Sequence, residues 1–122
     1  MAFINIMIKK YRIKKNEEFS RIITGKRSKA GEGFVLYFND AQEDHARIGI
    51  SVSRKLGNAV IRNKIKRQIR MMCSHIFDFE NSGTDIIIIA RSRYLEKTFE
   101  ENERELEKLI KSSIIYKNEQ GE

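Results

Sequence analysis

The sequence predicts an α+β fold, a single two-layer α/β sandwich domain in which helices cover a small mixed sheet of about four strands. Three observations carry that reading. Segments of period-two alternation and segments of helical period follow one another with no proline in 122 residues. One short run, DIIIIA at residues 85–90, is apolar without a break after its aspartate, as in a strand covered on both faces. A chain of this length also buries roughly two-thirds of its surface on folding, so a core forms without disulfide or metal staples.

The elements follow in order. From Asn16 to about Thr24, the apolar residues Phe19, Ile22 and Ile23 stand at i, i+3 and i+4, which predicts a short amphipathic helix. KRSKAGEG reads as a basic, glycine-containing loop. In GFVLYFN, residues 33–39, Phe34, Leu36 and Phe38 point to one face of a strand, and Val35, Tyr37 and Asn39 to the other. A polar turn, NDAQED, leads to a second strand from Arg47 to Ser53. This strand puts Ile48, Ile50 and Val52 inward and Arg47, Gly49, Ser51 and Ser53 outward. The two strands read as an antiparallel hairpin with one apolar and one open face.

RKLGN then leads into a helix from about Ala59 to Phe77, with Ile61, Ile65, Ile69, Met72 and Ile76 in one narrow stripe. After FENSGT comes the buried strand, and from Leu95 to about Ile115 a last helix, acidic early and basic later, as the helix dipole favours. One further short strand would fit this order. No repeat, linker or boundary divides the chain, so residues 1–122 read as one domain, with 1–8 and 118–122 expected to be flexible.

Composition narrows the function classes. Cys73 is the only cysteine, so it has no internal disulfide partner and makes no thiolate metal site alone. MAFINIMI is too short to span a bilayer and lacks the basic residues that precede a signal peptide's apolar core. A cytoplasmic protein without membrane contact is expected. Met7 is an alternative start, because the basic run Lys9, Lys10, Arg12, Lys14, Lys15 begins just after it.

Charge location says more than charge total. Residues 54–77 hold seven basic side chains and no acidic one, while the other 17 basic residues are matched by 17 acidic ones. The formal +7 therefore resides in one segment, the footprint of a polyanion binder. On a helix at about 100° per residue, Arg62, Lys66 and Arg70 form a row beside the apolar stripe, Asn63 and Arg67 follow further round, and Lys64 lies on the opposite flank. Like charges four apart cost about 0.2–0.5 kcal/mol per pair. A helix needing only solubility would interleave glutamates, so the row favours phosphate binding over a merely solvated face. Arginine supplies a planar fork for phosphate oxygens, lysine a mobile point charge, and asparagine both donors and acceptors.

The run GNAVIRNKIKRQIR, preceded by SVSRK, closely resembles the signature of the bacterial ribonuclease P protein family, in which a basic pair and Gly-Asn lead to a helix bearing Arg-Asn-x-x-Lys-Arg. The match takes in Lys55, Gly57, Asn58, Ala59, Val60, Arg62, Asn63, Ile65, Lys66, Arg67 and Arg70. It extends to KKNEEF, FVLY, IIIIAR and the closing helix, roughly residues 9–117.

The resemblance implies a protein subunit with no catalytic residue of its own, which binds a catalytic RNA and helps remove the 5′ leader of precursor tRNA. It implies one protein per RNA, and no cofactor or metal on the protein, the Mg2+ being held by the RNA. Arg54, Lys55, Asn58, Arg62, Asn63, Lys64, Lys66, Arg67 and Arg70 would contact that RNA. A leader-binding cleft between the first helix and the open sheet face would be lined by Phe19, Ile23 and Tyr37, with Lys55 at its margin. The strand reading adds Val35 and Ser51 to that face. An aromatic ring beside positive charge suits single-stranded RNA; Phe19 is equally suited to packing the first helix onto the sheet, whereas for Tyr37 the cleft is the favoured reading over packing. Two positions depart from the family pattern. Lys64 stands where arginine is frequent and keeps the charge without the fork. Ile23 stands where phenylalanine is frequent and leaves the cleft one ring. The family fold also implies a left-handed strand-helix-strand crossover, against the general right-handed rule.

His45 and His75 show no metal-ligand spacing, Cys73 reads as a small core residue, and the glutamates of the last helix read as solvated surface that does not converge with a histidine into an acid/base pair. Two rival readings remain: a ribosomal-protein-like RNA-binding module without a processing role, and a self-sufficient nuclease.

Overall fold

A computed structural model describes residues 9–121, with side chains as far as Ser113. The expectations for residues 1–8 lie outside the described residues. Three α-helices, α1 (Asn16–Thr24), α2 (Ala59–Ile76) and α3 (Phe99–Gly121), surround four strands, β1 (Ser28–Ala30), β2 (Phe34–Asp40), β3 (Arg47–Val52) and β4 (Thr84–Ala90). The sheet order is β1-β2-β4-β3. β4 runs antiparallel to β2 and parallel to β3, so α2 is the crossover of a β3-α2-β4 unit.

This order corrects two expectations. β2 and β3 are not a hairpin, because β4 lies between them. The physical reason lies in Ile86, Ile87 and Ile88, all fully buried. A strand apolar on both faces gains most at the sheet centre, where helices cover it on both sides. The loop KRSKAGEG also contributes β1, whose Ser28 and Ala30 pair with Tyr37 and Val35.

On one face Phe34, Leu36, Phe38, Ile48, Ile86 and Ile88 meet Ile65, Ile69, Met72 and Cys73 of α2 and Leu106 and Ile110 of α3. Each fully buried large side chain there contributes about 1.5–3 kcal/mol relative to exposure. Cys73 lies in this core, and burial pushes its thiol up to about 12, as befits a packing residue. On the other face, among the described residues, α1 and the segment before it pack Ile22 and Ile13 against Ile87 of β4.

The stripe on α2 needs one amendment: Ile61 is 40% exposed and Val60 77%, so the first turn projects beyond the sheet. α3 begins four residues later than expected, because Thr98 and Glu101 form a reciprocal capping box (Glu101 N to Thr98 Oγ1, 3.1 Å; Thr98 N to Glu101 Oε1, 2.9 Å). Its backbone stays helical to Gly121 rather than stopping near Ile115, since nothing in KNEQ interrupts a helix. Among the described residues no helix is long and apolar enough to cross a membrane.

Candidate nucleic-acid interface

The basic helix is launched by a compact turn. Ser53 Oγ accepts from Lys55 N at 3.0 Å and opens a 3-10 turn, Arg54–Leu56, that leaves Arg54 and Lys55 exposed. Gly57 follows at φ 150°, a conformation that favours glycine, and a Cβ there would lie 2.9 Å from Ile61 Cβ. Asn58 is the N-cap of α2, its Oδ1 accepting from Ile61 N at 3.0 Å. Its acceptor is therefore committed to the helix, leaving the amide nitrogen for any ligand.

The predicted row is present. Arg62, Lys66 and Arg70 are half-buried along the flank of α2, and Asn63, Lys64 and Arg67 are exposed. Arg62 Nε donates to the Gly57 carbonyl at 3.1 Å, which orients the guanidinium and leaves its terminal nitrogens for a partner.

Sequence reasoning missed the second half of this surface. Residues 12 and 13 run along the free edge of β3, through an Arg12–Ile48 bridge and an Ile13 N to Ile48 O bond of 3.0 Å. This places Arg12 and Lys14 with Lys66 and Arg70 around one shallow depression, and Arg12 with Lys64, Arg67 and Arg70 around a second. No acidic side chain lines either one. Burial, then the neighbouring charge of Arg12, lowers the pKa of Arg70. A phosphate between these cations would relieve that repulsion. The signal available in the sequence is the basic run at 9–15, whose place beside α2 depends on a pairing with β3 that local patterning does not reveal.

His45, read from sequence as a turn residue, holds this segment in place. Its buried ring faces two oxygen acceptors, Nδ1 at 3.0 Å from Asp44 Oδ1 and Nε2 at 2.9 Å from the Lys10 carbonyl. A neutral imidazole has one N–H, so only the imidazolium satisfies both. The bond to Asp44 raises the His45 pKa above its ordinary 6.5, against the opposing effect of burial. Tyr11 stacks on Phe79 at 4.4 Å and meets His45 edge-on, and Glu80 takes hydrogen bonds from Tyr11 and Lys10. The stabilisation from His45 is complete below 6.5 and is lost as pH rises through the raised folded-state value. The melting temperature is expected to fall over that rise, and less steeply in a His45→Gln protein. Equal slopes for the two proteins would remove His45 from the account.

The residues expected to line a second surface also lie on one side of the sheet. On the α1 side of the sheet, β-pairing sets out the row Ala30, Val35, Ile89, Ser51 and the row Ser28, Tyr37, Ile87, Gly49. Phe19, Ile23, Tyr37 and Ile89 pack at the margin of the Ile13–Ile22–Ile87 cluster, all half-buried, as are Val35 and Ser51. The result is an apolar shelf between the end of α1 and the half-open strand row. Ile89 was overlooked because the isoleucine run read as wholly buried. Arg47 and Gly49, expected on the open face, are instead buried beneath α1.

One surface contact adds to the sequence reading. Glu103 of α3 meets a histidine, with His75 Nδ1 at 2.6 Å from its Oε2. The pair staples α2 to α3, and Glu100 and Glu107, one helical turn to either side of Glu103, make that surface unfavourable for a polyanion.

Comparison with known proteins agrees with this architecture. The Ribonuclease P family matches residues 7–113. The chain belongs to the ribonuclease P protein family. The ribonuclease P protein component of Bacillus cereus strain 03BB102 is 46% identical over 108 residues, covering 88% of this chain and 94% of that protein. A Staphylococcus aureus RNase P protein mutant with defective mRNA degradation activity superposes with a TM-score of 0.78 at 43% identity, covering 93% of this chain and 96% of the other. The RNase P protein of Thermotoga maritima gives 0.71 at 30% identity, covering 83% and 96%. The chain is thus a subunit of a tRNA-processing endonuclease, a ribonucleoprotein in which it acts with ribonuclease P RNA.

Proposed function

We propose that the basic surface of α2, extended by Arg12 and Lys14, binds ribonuclease P RNA, and that the shelf beneath α1 binds the 5′ leader of precursor tRNA. One protein serves one RNA, in the bacterial cytoplasm, and the RNA holds the Mg2+ that performs hydrolysis. The observation that carries this reading is the separation of two surfaces of different chemistry. One gathers cations from two chain segments without a lining acid. The other offers an aromatic and aliphatic floor, suited to unpaired bases. Two surfaces on opposite sides of β3 allow one protein to hold catalyst and substrate together.

Tyr37 tests the second surface. With the protein assembled on a bacterial ribonuclease P RNA, Tyr37→Ala is expected to weaken binding of long-leader precursor by about 5- to 150-fold, the range of one lost base stack. Leaderless tRNA should bind as before. Equal losses for both RNAs would contradict a leader site.

A further inference from the structure

We infer that the buried ion network Glu18–Arg47–Asp85 positions α1 over the sheet and so sets the width of the leader shelf, an inference that rests on the shelf being the leader site. Arg47 opens β3 with its side chain on the α1 face. Its Nη2 is shared between Glu18 Oε2 at 2.9 Å and Asp85 Oδ2 at 3.0 Å, and its backbone N–H donates to Asp85 Oδ1 at 3.1 Å. The Asp85 side chain is wholly buried, and that of Arg47 is 10% exposed.

Apolar side chains of similar volume would hold a helix to a sheet at least as strongly, because a buried ion pair must recover its desolvation cost. What the network adds is direction. Nη2 is the one guanidinium nitrogen that meets both carboxylates, and Nε is buried without a partner, so Glu18 is drawn to the nitrogen that Asp85 already fixes, and Glu18 precedes Phe19 on α1. Gly49, the next residue of β3 on that face, makes the neighbouring contact. A Cβ there would lie 2.7 Å from Phe19 Cζ and 2.7 Å from Ile87 Cδ1, so the ring of Phe19 occupies the space a side chain would take. Ser51, the residue after that on the same face, stays half-open beside Ile89. Along one strand, Arg47 ties the helix, Gly49 receives its ring, and Ser51 begins the shelf. A loosened tie would let Phe19 and Ile23 move across the floor that a leader needs.

The test uses Glu18→Gln, at the rim of the network with its side chain 26% exposed, which keeps the Arg47–Asp85 pair. Gly49→Ala displaces the same helix from its apolar contact. Each protein, assembled with ribonuclease P RNA, is compared with wild type and Tyr37→Ala for affinity to long-leader precursor, to leaderless tRNA and to the ribonuclease P RNA itself. Both variants are expected to lose about fivefold in long-leader affinity, the lower end of one base stack, with the other two affinities unchanged. If Tyr37→Ala loses the leader preference while Glu18→Gln and Gly49→Ala keep it, the shelf stands and the positioning role falls. If all three keep it, the leader reading falls and takes the inference with it. Losses shared by leaderless tRNA would mark a general folding defect and overturn the inference.

Discussion

Replacing Arg62 and Arg67 together with alanine is expected to weaken binding to ribonuclease P RNA by about a hundredfold, taking about 1.5 kcal/mol for each charge-assisted hydrogen bond lost. Arg62 is pre-oriented by its bond to the Gly57 carbonyl, which lowers its ordering cost, and Arg67 projects from the exposed face, where a phosphate can reach it. The slope of log affinity against log salt should also fall by about 1 for each residue removed. Lys108 and Lys111 of α3 provide a charge-matched control, since they lie on the helix whose neighbouring turns are acidic. Their joint replacement is expected to leave affinity nearly unchanged. A similar loss in the control would mean that net charge alone, and no particular surface, attracts the RNA.

Asp85→Ala is expected to be the most destabilising single change near the shelf. It leaves the Arg47 guanidinium buried with only the rim carboxylate of Glu18, and it orphans the Arg47 backbone N–H. Breaking a buried pair from one side costs about 3–5 kcal/mol, a large part of the 5–15 kcal/mol that typically holds a domain folded. Denaturant unfolding should show the midpoint drop with little change in slope. A loss below about 1 kcal/mol would show that water reaches Arg47 and that the network is not a buried one.

The limits of sequence reading are physical. Helices α1 and α2 and the inward faces of β2 and β3 were legible because local periodicity encodes them. The cation row of α2 was legible because its spacing is helical and its acids are missing. Strand order was not. Only the competition of three strands for the doubly covered central position decides it, and the isoleucine run wins. The same non-local step hid Arg47. A charged residue at a strand start reads as exposed until Asp85 and Glu18, distant in sequence, are brought to it. Arg12 joined the basic surface for a similar reason, since its place depends on the free edge of β3 and on His45. Ile61 erred the other way: it has the right spacing for the core but sits a turn beyond the sheet.

The most direct test of the account is cleavage of precursor tRNA at low magnesium by the protein alone, by a bacterial ribonuclease P RNA alone, and by the two mixed. The account predicts strong cleavage only in the mixture, lost when Arg62 and Arg67 are both alanine. Cleavage by the highly purified protein alone would contradict it by placing the chemistry in the polypeptide. Unchanged cleavage on mixing would leave only an RNA-binding module without a processing role.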